Sequence, residues 1–103
     1  MRIAFFEIEE WEITLLEERL QGEQLIFEED YLKEKHMQDL TAVEILSVFI
    51  YSKVTQEVIA AMPRLKLIAT RSTGYDHIDM AAAKARGIVV ANVPTYGENT
   101  VAE

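Results

Sequence analysis

The segment formed by residues 71–80, RSTGYDHIDM, combines residue types that could bind or transform a small anion. Arg71 can bind a carboxylate through two parallel hydrogen bonds. His77 can serve as a general base, because an imidazole titrates near neutral pH. No nucleophile and no orienting carboxylate is identifiable beside His77, so a partly exposed loop histidine is the simpler interpretation. For Arg71, two interpretations are equally good: a contact to a ligand carboxylate, or a structural charge paired within the protein.

Gly74 is the second feature of this segment that could carry a function. A glycine accepts positive φ and lets a ligand approach the backbone closely, so the amides of Thr73, Gly74 and Tyr75 could form a concave set of donors for a carboxylate. A tight turn with glycine as the permissive residue is the alternative interpretation. Asp76 and Asp79 would add negative charge beside an anion site, and Asp79 is also a good N-cap for a following helix.

Short apolar runs alternate with helical patterns along the chain and decide where residues 71–80 lie. Strands are predicted over residues 2–8, 24–29, 44–50, 65–70 and 88–92. Helices are predicted over residues 9–22, 56–62 and 80–86, with Thr55 and Asp79 as N-caps and Gly22 and Gly87 as stop signals. A short helix or a loop is predicted over residues 30–40. Trp11, Leu15, Leu16 and Leu20 share one face of the first helix, so Trp11 is predicted to lie in the core.

Strands that alternate regularly with helices predict an α/β fold with a parallel sheet and helices on both faces. Five strands favour a flavodoxin-like doubly wound domain with strand order 2-1-3-4-5. Ligands bind beyond the carboxyl ends of the strands in such sheets. The candidate positions are therefore the residues that directly follow strands: Glu7, Glu9, Glu10, Tyr51, Ser52, residues 71–75 and residues 94–96. Tyr51 and Tyr96 could line a ligand pocket or simply cover the sheet edge.

Composition and charge exclude several classes of function. The 103 residues fit one domain, and no apolar run approaches the length of a membrane span. The chain carries a formal charge of −8, so nucleic acids and anionic membranes, which are also negatively charged, are not expected partners. Zero cysteines exclude disulfides and thiolate metal sites, and we expect no metal and a cytoplasmic location. His36 and the glutamates near the strand ends are predicted to be solvated surface groups.

Glycine positions exclude two nucleotide-binding motifs. The only glycines are Gly22, Gly74, Gly87 and Gly97, so neither a dinucleotide fingerprint nor a P-loop is present. Near the end of the chain, in PTYGENTVAE, Thr100 and Glu103 have capping-box spacing and predict the start of a helix. We therefore expect these residues to be the front part of a longer polypeptide.

The second half of the chain, from FIYSKV onward, resembles the N-terminal part of the D-isomer-specific 2-hydroxyacid dehydrogenases, and is closest to their D-lactate dehydrogenase branch. The segments RSTGYDHIDM and NVPTYGENTVAE carry this resemblance, whereas the first forty residues fit only in the order of their elements. The resemblance implies a two-domain NAD-dependent enzyme. Residues 1–97 would be the N-terminal portion of its substrate domain, and residues 98–103 would begin the helix leading into an NAD-binding domain outside this chain.

The resemblance also implies a substrate and a set of site residues. The substrate would be a small 2-oxo or 2-hydroxy acid, with D-lactate and pyruvate favoured over glyoxylate, hydroxypyruvate, phosphoglycerate, phosphonate or formate. The amides at Thr73 and Gly74 would hold the substrate carboxylate, with Tyr51, Tyr96 and Asn99 at the pocket or the interdomain cleft. The catalytic residues and the NAD site would lie downstream, and the complete enzyme would be a homodimer. A stand-alone module of flavodoxin-like fold, which binds a small acid or interacts with another protein, remains the alternative.

Overall fold

The computed structural model describes residues 1–72 and 74–92, which form a five-stranded sheet flanked by helices. The strands are β1 (Arg2–Phe6), β2 (Gln24–Glu28), β3 (Ile45–Val48), β4 (Leu67–Thr70) and β5 (Val89–Asn92). The α-helices are α1 (Glu10–Arg19), α2 (Gln56–Ala60) and α3 (Met80–Ala85), and a 3₁₀ helix spans Glu34–Asp39. All the strand pairs are parallel, in the order β2-β1-β3-β4-β5. The predicted fold class and strand order are therefore confirmed.

Alternation along each strand divides the apolar residues between the two faces of the sheet, because successive side chains of a strand point to opposite sides. Ile3 pairs with Leu25 on one neighbouring strand and with Ile45 on the other, so these three residues share a face. Helix α1 covers this face through Ile13 and Leu16, together with its C-cap residue Leu20. The amphipathic helix thus packs against the β2-β1-β3 half of the sheet.

The larger core lies on the opposite face of the sheet. Ala4, Phe6, Leu46, Val48 and Ile68 point to this side and are buried. They pack against side chains from the connections after β2, β3 and β4: Leu32, Leu40, Val43, Val54, Val58, Ile59, Met62, Leu65, Ile78, Ala83 and Ile88. Helices therefore cover both faces, as the alternating pattern predicted.

The helix ends follow the predicted caps. The side chain of Thr55 accepts a hydrogen bond from the Val58 amide at 3.3 Å, and that of Asp79 accepts one from the Ala82 amide at 3.0 Å. Gly87 ends α3 with φ of 69°, a conformation that glycine adopts without steric cost. In the part of the chain that the structure describes, no helix is long and apolar enough to cross a membrane.

Two sequence-based expectations about single residues are wrong. Trp11 is 54% exposed, because α1 turns Ile13, Leu16 and Leu20 toward the sheet and leaves Trp11 at the rim. The side chain of His36 is only 13% exposed; its ring meets the Phe6 ring edge-on at 5.1 Å. Its Nδ1 accepts a hydrogen bond from the Lys33 amide at 2.9 Å, so His36 stabilises the start of the 3₁₀ helix. The predicted helix start at residue 98 lies outside the described residues.

Candidate functional site

Glu7, directly after β1, organises the carboxyl edge of the sheet. Its backbone has φ of 58°, in the left-handed region that is uncommon for residues other than glycine. One carboxylate oxygen accepts hydrogen bonds from the amides of Phe49 and Ser52, both at 3.0 Å, and from the Ser52 hydroxyl at 2.5 Å. The other oxygen accepts the Tyr51 amide at 3.0 Å. The prediction that Glu7 is a solvated surface acid is wrong, because its charge serves the backbone of the loop after β3.

Arg71, directly after β4, is turned toward the end of β1. Its guanidinium donates to the carbonyl oxygen of Glu7 at 3.1 Å and also to that of Phe6. One of its nitrogens lies 3.8 Å from a carboxylate oxygen of Glu12, and both side chains are largely buried. Glu12 in turn accepts the Glu9 amide at the start of α1. Of the two sequence-based interpretations of Arg71, the structure favours the structural charge.

A cavity of about 280 Å³ opens beside the loop that follows β4. It is lined by Ile50, Lys53, Ser72, Gly74, Asp76 and His77. Pockets that hold drug-sized ligands range from about 300 to 1,000 Å³, so this cavity suits a smaller molecule. Lys53 and Asp76 bring opposite charges to its wall. An added Cβ on Gly74 would meet no heavy atom of the described residues within 4 Å, so the space above the glycine is open to a ligand.

A chain of hydrogen bonds lies behind this cavity. The Nε2 of His77 is 2.7 Å from the hydroxyl oxygen of Thr70, which is 2.7 Å from the hydroxyl oxygen of Ser72. The Ser72 hydroxyl donates to the carbonyl oxygen of Gly74 at 2.9 Å. Thr70 and Ser72 are buried. These contacts connect the end of β4 to both sides of the predicted binding loop.

The protonation of His77 responds to this setting. Burial lowers the pKa of His77 below the ordinary histidine value, since an imidazolium loses hydration there. Glu7 and Asp76 raise this pKa through their negative charges, and Lys53 lowers it, but burial is the largest effect. Neutral His77 is therefore the favoured form at physiological pH. The prediction of a partly exposed loop histidine is confirmed, with the addition that the ring is hydrogen-bonded.

The predicted site residues fall in different places. Gly74 lines the cavity beside the β4 loop, but Tyr51 is 65% exposed and lines a second cavity of about 330 Å³. That second cavity is bordered by Glu7, Ile8, Glu9, Glu29, Asp30, Tyr31 and Phe49, and is strongly acidic. Thr73, Tyr96 and Asn99 lie outside the described residues. The described structure therefore does not bring Tyr51 and Gly74 to one cavity.

Sequence reasoning missed Ile50 and Lys53 as site residues of the first cavity, whereas Ser72 was among the candidate residues 71–75. Ile50 and Lys53 line it from the loop after β3, and Ser72 lines it from the loop after β4. The spacing of Thr70 and Ser72, two positions apart at a strand end, was the signal available for the contact between their hydroxyl groups, because such residues share a face. For Lys53 the only signal was its place three residues beyond a predicted strand.

Comparison with known proteins identifies relatives over nearly the whole chain. Residues 3–103 match the family model described as D-isomer specific 2-hydroxyacid dehydrogenase, catalytic domain. A glycerate dehydrogenase from Methylorubrum extorquens is 35% identical over 104 residues, which cover 99% of this chain and 32% of the relative. A glyoxylate reductase from Pyrococcus furiosus is 34% identical over 91 residues, covering 88% of this chain and 27% of the relative.

A solved structure shares the fold as well as the sequence. The D-lactate dehydrogenase from Aquifex aeolicus, complexed with NAD and lactic acid, is 35% identical and superposes with a TM-score of 0.83. The superposition covers 97% of this chain and 32% of that one. The chain thus spans about a third of the length of the relatives that it matches. Because the family model matches residues 3–103, the chain belongs to the D-isomer specific 2-hydroxyacid dehydrogenases, within their catalytic domain.

Proposed function

We propose that this chain is the substrate-binding portion of an NAD-dependent D-2-hydroxyacid dehydrogenase, and that the cavity beside Gly74 receives the carboxylate of a 2-oxo acid. The observation that carries the proposal is the position of this cavity at the carboxyl edge of a parallel sheet, where ligands of such folds bind. Its small volume and the open space above Gly74 suit a short acid. In the complete enzyme the reaction would be hydride transfer between NADH and that acid.

The charges around the cavity favour a substrate with one negative charge. Lys53 supplies a positive charge at the wall, and the loop around Gly74 supplies peptide dipoles. Asp76 opposes further negative charge. Arg71 is already engaged by the carbonyl oxygens at the end of β1 and by Glu12, so it is not available to a phosphate group at this cavity. Pyruvate and D-lactate are therefore our first candidates, and phosphoglycerate ranks lower.

The cofactor is expected to bind outside this chain. Pyrophosphate needs a glycine-rich turn that leads into a helix N-terminus, and the glycines at positions 22, 74, 87 and 97 do not have that spacing. The described residues thus do not fit a dinucleotide. We propose that residues 98–103 lead into the domain that holds NAD, and that the complete enzyme is a homodimer.

The purified chain of 103 residues is expected to fold and to be catalytically silent. Titration with pyruvate and with oxamate, an analogue of similar shape, should shift amide resonances of residues 72–77 and of Lys53 in NMR spectra. Acetamide, which lacks the carboxylate, is the matched control and should leave them unchanged. NADH oxidation by the purified chain in the presence of pyruvate would contradict the proposal.

A stand-alone module that binds a small acid is the second candidate, and the intact mass of the natural polypeptide separates the two. Antibody capture followed by mass spectrometry on cells of the source organism gives this mass. A species several times heavier than 11.8 kDa supports a portion of a dehydrogenase. A species of 11.8 kDa together with tight acid binding would favour the module.

A further inference from the structure

We propose that His77 is a positioning residue, which acts through the hydroxyl groups of Thr70 and Ser72 to fix the peptide group between Gly74 and Tyr75. This inference rests on the proposed function in one respect only, namely that this peptide group faces the substrate carboxylate. The positioning itself follows from four hydrogen-bonding groups in a row, each within 3 Å of the next.

Counting protons fixes the direction of this row. The Ser72 hydroxyl carries one proton and donates it to the Gly74 carbonyl oxygen, which is an acceptor only. The Ser72 oxygen must then accept a hydrogen bond from the Thr70 hydroxyl, which donates its single proton in that bond. Thr70 is left as an acceptor toward His77, so His77 must donate from Nε2. The neutral ring is therefore the Nε2–H tautomer.

The opposite tautomer would break the row. A His77 ring protonated only on Nδ1 would accept at Nε2, and Thr70 would have to donate to it. Ser72 could then keep its bond to Thr70 only by donating, which would remove the proton from its bond to Gly74. Because Thr70 and Ser72 are buried, a hydroxyl without a partner would be costly there. The intact row is the arrangement that satisfies every group, and its bonds strengthen one another.

The end of the row sets the orientation of a peptide plane. In a trans peptide the carbonyl group and the following N–H point in nearly opposite directions. Holding the Gly74 carbonyl toward Ser72 therefore directs the Tyr75 N–H away from the buried hydroxyls. Among residues 1–72 and 74–92, that N–H donates no hydrogen bond. It is a prearranged donor for an anion beside Gly74.

Other hydrogen bonds hold the rest of the loop, so the row of hydroxyl groups acts specifically on the peptide group after Gly74. The Tyr75 hydroxyl donates to the side-chain oxygen of Asn92 at 2.9 Å, and the Ile78 amide donates to the Tyr75 carbonyl oxygen at 2.9 Å. The backbone of His77 pairs with Val54 at 2.8 Å. These contacts fix the loop on its far side. Within residues 1–72 and 74–92, the bond that holds the Gly74 carbonyl oxygen comes from the hydroxyl row.

The first test is the tautomer of His77 in the wild-type chain of 103 residues. The ¹⁵N shifts of the two ring nitrogens, measured above the range in which the ring is protonated, distinguish the tautomers directly. We expect Nε2–H, with slowly exchanging hydroxyl protons for Thr70 and Ser72. A predominant Nδ1–H tautomer would overturn the proposal, and this test needs neither a variant nor a ligand.

The second test compares His77→Gln with His77→Ala. The glutamine side chain can place an N–H donor near the position of Nε2, whereas alanine cannot. We expect His77→Ala to shift the Gly74 carbonyl ¹³C and Tyr75 amide ¹⁵N resonances and to weaken oxamate binding at least fivefold. His77→Gln should return these resonances to their wild-type positions. It should also restore the affinity for oxamate to within twofold of the wild type. Equal effects of the two variants would show a purely space-filling role and refute the inference.

Ser72→Ala provides the control for the pathway. In a Ser72→Ala background the row is already cut, so His77→Ala should no longer alter the Gly74 carbonyl shift. A full additional shift in that background would contradict transmission through the hydroxyls. If the wild-type chain binds neither acid while the tautomer and the carbonyl shifts behave as expected, the proposed function fails at this cavity, but the positioning role of His77 holds.

Discussion

The carboxylate of Glu7 lies 2.5 Å from the hydroxyl of Ser52, and this contact joins the end of β1 to the loop after β3. Ser52 is fully buried and its hydroxyl oxygen also accepts the Leu32 amide from the segment after β2. Three consecutive crossover connections therefore meet at one carboxylate and one hydroxyl. The loop after β3 borders both cavities at the carboxyl edge and is held at this junction.

Glu7→Gln tests the junction. Glutamine keeps one acceptor oxygen but turns an NH₂ group toward backbone amides that need acceptors, so some of the four hydrogen bonds to Glu7 must be lost. We expect the free energy of unfolding to fall by about 2 kcal/mol, as measured by urea denaturation of the chain. Glu29→Gln makes the same chemical change at an exposed position of the same edge and should have little effect. Equal losses in the two variants would show that Glu7 has no special role.

Glu12→Gln tests the buried ion pair with Arg71. The substitution retains an oxygen for the Glu9 amide but removes the negative charge beside the guanidinium. Removing one partner of a buried pair typically costs about 3 kcal/mol or more, so we expect a loss near that size in the free energy of unfolding. Asp30→Asn, at the half-exposed pair with Lys33, is the control and should cost less. A negligible loss for Glu12→Gln would mean that the pair is screened by solvent.

The lowered pKa of His77 makes stability depend on pH. Between this lowered value and the ordinary histidine value of 6.5, the unfolded chain binds more protons than the folded chain. The free energy of unfolding therefore falls as the pH is lowered through this window, and above it His77 contributes no pH dependence. His77→Gln should flatten the fall in urea denaturation at a series of pH values between 7 and 5.

The acidic groups act in a different range of pH. A hydrogen bond from the Arg2 amide lowers the pKa of Glu44, and one from Lys33 lowers the pKa of Asp30. The contributions of these two carboxylates to the free energy of unfolding are lost only as the pH falls below about 4.5, where unfolded carboxylates take up protons. An identical fall between pH 7 and 5 in the wild type and in His77→Gln would contradict the assignment to His77.

Gly74→Val separates binding from folding. The added side chain enters open space in the described structure, so we expect the free energy of unfolding to change by less than about 1 kcal/mol. In the proposed dehydrogenase, the same change should raise the Michaelis constant for the 2-oxo acid far more than it alters cofactor affinity, because the side chain blocks approach to the loop amides. An unchanged Michaelis constant would remove this loop from the site.

Gly87→Val is the contrasting variant. Gly87 has φ of 69°, which a β-branched residue adopts only with strain, so this variant should lose stability by about 1 to 3 kcal/mol. Gly87 also ends α3, far along the chain from the Gly74 loop. A comparable loss of stability in both variants would show that Gly74 is held in a strained conformation of its own.

The local pattern of the sequence was sufficient for the framework of the fold. Apolar runs, caps at Thr55 and Asp79, and the stop at Gly87 placed every strand, and their alternation with helices predicted the order of the sheet. The strands end one or two residues earlier than predicted at several carboxyl termini, for example at Phe6 and Val48. After Val48, the backbone amides of the following loop donate to the carboxylate of Glu7 instead of continuing the sheet.

The candidate site was only partly determined by the sequence. The stretch around Gly74 stood out because glycine, histidine and aspartates follow an apolar strand, and the family resemblance drew on the same residues. The pattern gave no reason to separate Tyr51 from Gly74, although they border different cavities. That separation depends on how the loop after β3 folds around the carboxylate of Glu7.

Tertiary structure alone decided what the charged and aromatic side chains do. Glu7 and Glu29 are alike in the sequence, yet only Glu7 meets backbone amides more than 40 positions away. Periodicity reports which face of its own element a residue occupies, and it determined the sheet and its core. The partners of Glu7 lie in the loop after β3, and Arg71 after β4 contacts the end of β1. Contacts between distant parts of the chain leave no local pattern, so only the folded structure shows them.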